Sequence, residues 1–204
     1  MVRTIEQEVD RVTSRLFLIS LMKWYDENGI KMGIEKVSNL FDNKNDKDKK
    51  GIAVTSSILQ DMPKCRVRKV DETGKLVKKE DEETGEEKVV TKIVDDVEEV
   101  TFFFNVSQKG VDAEKGEFKV NPLSSCYPLF NFAFIQAGDL PEGNTKGFIC
   151  DIDELKEALE GLEFIGKAKY ESFNGGKKYP VLLAEDVPIK KETVIDDDED
   201  FEDE

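Results

Sequence analysis

The sequence predicts a mainly β or α+β fold: a small Greek-key barrel carrying N-terminal helices and long β-hairpin arms. Three observations carry that expectation. Apolar residues recur at helical spacing near the N-terminus and again at 151–162. From residue 64 onward the apolar runs are instead short, alternating and rich in β-branched and aromatic residues. The order is helices, then strands, then one helix before a final hairpin, which is not the regular alternation of a parallel doubly wound sheet.

The elements follow in order. Ile5, Val9, Val12, Leu16 and Ile19 share one helical face, widened by Phe17, Leu21 and Trp24, which predicts a helix over 4–28. Thr4 with Gln7 fits a capping box, and Gly29 fits a stop. Ile34, Val37, Leu40 and Phe41 predict a short second helix over 33–41, completing a helical element over 1–41. DNKNDKDKKG (42–51) reads as a solvated loop. CRVRKV (65–70), KVVTKIV (88–94) and VTFFFNV (100–106) read as strands, with Gly-containing turns DETGK and EETGEEK between the first two. Residues 71–100 thus read as an extended hairpin. PLFNFAFI (128–135) alternates and reads as a strand, with Phe130, Phe132 and Phe134 on one face. DIDELKEALEGL (151–162) is a helix capped by Asp151 or Asp153. FNGGKK supplies the Asn-Gly-Gly chemistry of a tight turn between two last strands. Hairpin-joined strands with one inserted helix suit a five-stranded barrel of the OB type.

Charge divides the chain further. Residues 192–204 carry nine acids and no base, and residues 71–100 carry twelve acids against five lysines, so the net −15 belongs to these appendages and the remaining body is near neutral. The expected organisation is one folded domain over 1–191, with a β-rich body at 64–190, followed by a tail at 192–204 that buries nothing and is disordered.

Composition also excludes chemistry. The chain has no histidine, so Ser-His-Asp and Cys-His catalysis are absent. Cys65, Cys126 and Cys150 form no CxxC pair, and no metal site is expected. Asp95-Asp96 and Asp151/Asp153 are carboxylate pairs able to bind Mg²⁺, but nothing in the sequence specifies a site geometry, and Asp151-x-Asp153 fits a helix N-cap better. No GxxxxGK[ST] or GxGxxG is present, so no nucleotide cofactor is expected. No apolar run approaches the ~20 residues of a membrane span. The sequence reads as a cytoplasmic protein that is not an enzyme.

Two basic stretches are candidate binding elements. GKAKYESFNGGKKYP sets Lys167, Lys169, Lys177 and Lys178 among Tyr170, Phe173 and Tyr179. Lysines meet phosphates, and aromatic faces stack unpaired bases at ~1–3 kcal/mol each. The competing reading is an ordinary solvated hairpin with its rings in the core. PKCRVRKV adds Lys64, Arg66, Arg68 and Lys69; Arg66 and Arg68 alternate on one face, either as a plain charged face or as part of a groove that tracks a nucleic-acid backbone. The tail strip Asp196, Asp197, Asp198, Glu199, Asp200, Phe201, Glu202, Asp203 and Glu204 is either a solubility tail or a tethered acidic ligand for partner proteins, with Phe201 as its anchor.

The tail VIDDDEDFEDE (194–204) and, more loosely, the hairpin GKAKYESFNGGKKYPVLL (166–183) resemble the single-stranded-DNA-binding proteins of bacterial viruses. Such tails commonly finish on the aromatic, whereas here three acids follow Phe201. The resemblance implies sequence-independent single-stranded-DNA binding in viral DNA replication or recombination. It also implies a tail that autoinhibits by competing for the groove and recruits replication or recombination proteins, in a protein that can be a homo-oligomer. The alternative class is an acidic interaction protein, a nucleic-acid mimic that offers residues 80–99 and the tail to a basic partner surface.

Overall fold

In the computed structural model, which describes residues 13–25, 27–42, 49–61, 64–95, 97–172 and 176–188, a seven-stranded antiparallel sheet forms the body. The chain enters it through helix α1 (Ser14–Trp24). Thr13 caps this helix from an extended backbone (φ −104°, ψ 149°), its hydroxyl accepting from the Leu16 amide at 3.4 Å. α1 ends at Trp24 with Tyr25 as its C-cap, short of the expected end at 28; residues 1–12, with Thr4 and Gln7, lie outside the described residues. Phe17, Leu18 and Leu21 form its buried stripe.

Strand β1 (Ile30–Asp42) replaces the expected second helix. It pairs antiparallel with β2 (Lys49–Ile58), and the register skips Glu35: Ile34 faces Ser56 while Lys36 faces Thr55. One extra residue brings Ile34 and Val37 to the same face, and both are buried with Met32. The bulge therefore writes a three-residue spacing into a strand, which is the signal that reads as a helix. β2 begins inside the stretch expected to be a solvated loop.

The charged hairpin is present as an arm. β3 (Cys65–Arg68) pairs with β6 (Thr91–Val94), and further out β4 (Lys78–Glu80) pairs with β5 (Glu87–Val89). β7 (Glu99–Ser107) returns to the sheet beside β2 and buries Val100, Phe102, Phe104 and Val106 in strict alternation. β8 (Phe118–Val120) and β9 (Phe148–Cys150) complete the far side, and β10 (Glu163–Ser172) with β11 (Lys178–Glu185) completes the near side. The order is β11-β10-β1-β2-β7-β8-β9.

The fold is mainly β with helices, as expected, but the sheet is open. β11 and β9 are its edges and do not pair with each other, so the closed five-stranded barrel is corrected. Helices fill the inner face instead. Phe17 of α1 meets Phe102 edge-on at 5.8 Å, and Phe130 meets Phe104 edge-on at 5.3 Å.

Phe130 lies on helix α2 (Tyr127–Ala137), where a strand was expected. The Phe-x-Phe-x-Phe alternation is incidental. Leu129, Phe130, Ala133 and Phe134 are the buried helical face, and Phe132 is only partly buried. Pro128 in the first turn and Gly138 (φ 85°) just past the end are the punctuation of a helix, not of a strand. Helix α3 (Ile152–Leu159) is as expected, with Asp151 and Glu154 forming a full capping box. Among the described residues no helix is long and apolar enough to cross a membrane.

Gly29, the expected stop, is the hinge between α1 and β1. Its φ is +65°, and a Cβ there would sit 2.7 Å from the Gly166 carbonyl oxygen. Gly29→Ala is expected to cost about 2 kcal/mol, through left-handed strain and displacement of β10. Urea unfolding checks this: the midpoint falls and the m-value holds.

Candidate nucleic-acid interface

β10 pairs with β1 only over Glu163–Gly166, yet with β11 it pairs from Ile165 to Ser172. Past Gly166 the two last strands therefore run beyond β1 as a two-stranded arm. Residues 166–184 carry four lysines against one glutamate, a local reversal of sign in a chain of net charge −15.

Register fixes the faces of this arm. Ala168 lies opposite Leu182, and both pack toward the core; Tyr170, Ser172 and Lys178 continue that face outward. Lys167, Lys169 and Tyr179 lie on the opposite face, so the expected pairing of Lys167 with Lys169 holds. Tyr170 is 51% exposed and Tyr179 52%, so neither ring is a core residue. Phe173 lies outside the described residues. Lys167 contacts Glu185 at 2.6 Å, and Lys169 contacts Glu171. Such partly exposed pairs are worth ~0–1 kcal/mol, so a phosphate can displace either carboxylate. Lys177 and Lys178 are exposed and make no ion pair among the described residues.

The second basic stretch is β3. Cys65 and Val67 are buried, Arg66 is exposed and Arg68 is half-buried, which is the alternation its sequence predicts. Lys64 and Lys69 are exposed. The Arg66 amide donates to Ser20 Oγ at 3.0 Å, which fastens β3 to α1, and Arg66 Nη1 donates to Thr91 Oγ1 at 2.7 Å. α1 packs against both β3 and β10. The two basic stretches are thus linked through a helix and not through direct pairing.

That helix brings residues that the sequence did not nominate. Arg15 shares with Leu18, Phe102, Phe104, Tyr179 and Pro180 the wall of an apolar cavity of about 320 Å³ beside the arm. Lys23 and Trp24 lie at the other end of α1. The only sequence signal for them was Trp24 in the apolar stripe of the helix.

The remaining groups offer little chemistry. Burial pushes the Cys126 thiol up to about 11 and raises those of Cys65 and Cys150, so none is a thiolate at neutral pH. Asp151 is occupied as a cap, accepting from the Asp153 and Glu154 amides at 2.9 Å. Asp96 lies outside the described residues, among which no group of three or more Cys, Asp or Glu converges to hold a metal ion. In the turn between β3 and β4, a hydrogen bond from the Thr73 hydroxyl lowers the Asp71 carboxyl below its usual range. The Lys88 ammonium does the same for Asp81, so both stay ionised.

No family model, curated protein or solved structure matches this chain. The strip Asp196–Glu204 lies outside the described residues.

Proposed function

We propose that this chain binds single-stranded DNA without sequence preference. The observation that carries the reading is the β10–β11 arm beyond the edge of β1, with half-exposed Tyr179 on the face of Lys167 and Lys169, half-exposed Tyr170 on the face of Lys178, and exposed Lys177 at the turn. An ammonium neutralises a phosphate, and a phenol ring offers a face to any base, so the combination suits a strand whose bases are unpaired. In duplex DNA the bases are stacked on each other and the rings gain nothing. Following the viral resemblance, the chain coats exposed strands during DNA replication or recombination in the cytoplasm. Its acidic tail competes for the arm and docks on replication or recombination proteins.

A second reading has its own observation. The β4–β5 arm exposes Glu80, Glu82, Glu83 and Glu87 beside ionised Asp81, a surface suited to a basic protein.

Fluorescence anisotropy with a labelled ~30-mer at two salt concentrations separates the readings. The DNA-binding reading expects tighter binding to single strands than to duplex, falling steeply with salt. It also expects a fragment lacking 192–204 to bind more tightly, with the gain largest at low salt, because a tethered polyanion no longer competes. The mimic reading expects no DNA binding from either form, and that result would overturn the proposal.

A further inference from the structure

Trp24 is the last residue of α1 and is 38% exposed, although tryptophan is ordinarily well buried. Two ammonium groups converge on its ring: Lys23 Nζ lies 4.9 Å from the ring centroid and Lys64 Nζ 5.3 Å. Lys64 directly precedes Cys65, which is buried, and Arg66, whose amide is bonded to Ser20 of the same helix. The indole and both lysines are therefore held together by fixed backbone on two elements. α1 also packs on β10, whose outer part forms the basic arm.

We infer that Trp24, flanked by Lys23 and Lys64, is a second base-stacking site, which a single strand reaches by passing from the β10–β11 arm over α1 to β3. This inference rests on the DNA-binding reading above. The energetics favour the exchange it requires. An exposed cation–π contact is worth ~0.5–1 kcal/mol, whereas a stacked base is worth ~1–3 kcal/mol. A base that takes a face of the indole displaces one ammonium, and that ammonium is then within reach of the phosphate the base carries. The arrangement thus loses a weak contact and gains both a stack and a charge pair. Trp24 also gives the two basic stretches, which do not pair with each other, a common occupant. The plainer alternative is a half-buried helix-end ring under two solvated lysines, and the test below separates it.

The chain contains a single tryptophan beside four tyrosines, so emission excited at the red edge of the indole band, beyond tyrosine absorption, reports this site alone. Unlabelled oligo(dT) is titrated into the full chain while indole emission is followed. A labelled copy is titrated in parallel for anisotropy. The inference expects a saturable quench of the indole with the same midpoint as the anisotropy curve. It expects Trp24→Ala to weaken binding about fivefold or more with an unchanged melting midpoint, and Trp24→Phe to retain most of the affinity. An anisotropy rise with unchanged indole emission overturns this site and leaves the DNA-binding reading standing. No anisotropy change for any form overturns both.

Discussion

Phe17→Ala is expected to lower the unfolding free energy by about 3–5 kcal/mol. The ring is fully buried and meets Phe102 edge-on at 5.8 Å with the planes 77° apart. Phe102 in turn stacks on Phe104, which receives Phe130 of α2. Truncating Phe17 therefore opens a cavity at the contact that seats α1 on the sheet, and close packing on both sides limits its collapse. Leu123→Ala removes a side chain that is 60% exposed and is expected to stay within about 0.5 kcal/mol of the parent. Urea unfolding of both variants checks the pair. Equal midpoints would mean that α1 is not seated on β7 through this ring.

The second large effect concerns the arm. Replacing Lys167, Lys169, Lys177 and Lys178 with alanine is expected to cut single-strand affinity on the order of 100-fold at about 50 mM salt. Each phosphate contact contributes about 0.7 to the logarithmic salt slope for a single strand, which would give about 3 for four free lysines. Lys167 and Lys169 must first release Glu185 and Glu171, so they count for less, and the slope is expected to fall by about 2. Anisotropy titrations of the parent and the variant at several salt concentrations read both quantities. A lower affinity with an unchanged slope would assign the loss to altered structure and not to lost phosphate contacts.

The arms, β7 and α3 were legible because each obeys one rule without interference. β7 alternates cleanly, and α3 opens on Asp151 with Glu154 three residues later. β1 was not legible because its bulge at Glu35 turns a period of two into a spacing of three. α2 was misread in the opposite direction, since three phenylalanines at alternate positions outweighed Pro128 and Gly138, whose backbone preferences were the better signal. β2 was hidden by the lysines at its start and by Ser56 and Ser57 near its end. Barrel closure could not be read locally at all, because it depends on helices occupying the inner face. For the interface, period-two alternation placed Lys167 with Lys169 and Arg66 opposite Cys65. The carboxylates that hold Lys167 and Lys169, and the convergence of Lys64 on Trp24, arise from register and helix packing, which no local pattern encodes.

Photo-crosslinking tests the central claim most directly, because it asks where the strand lies and not only whether it binds. Iodouracil-substituted oligo(dT) is bound to the full chain and irradiated, and the crosslinked peptides are mapped by mass spectrometry. The account predicts crosslinks at Tyr170 and Tyr179, with Trp24 as a further position. A complex that forms but crosslinks only outside these rings, or through the acidic β4–β5 arm, would contradict it.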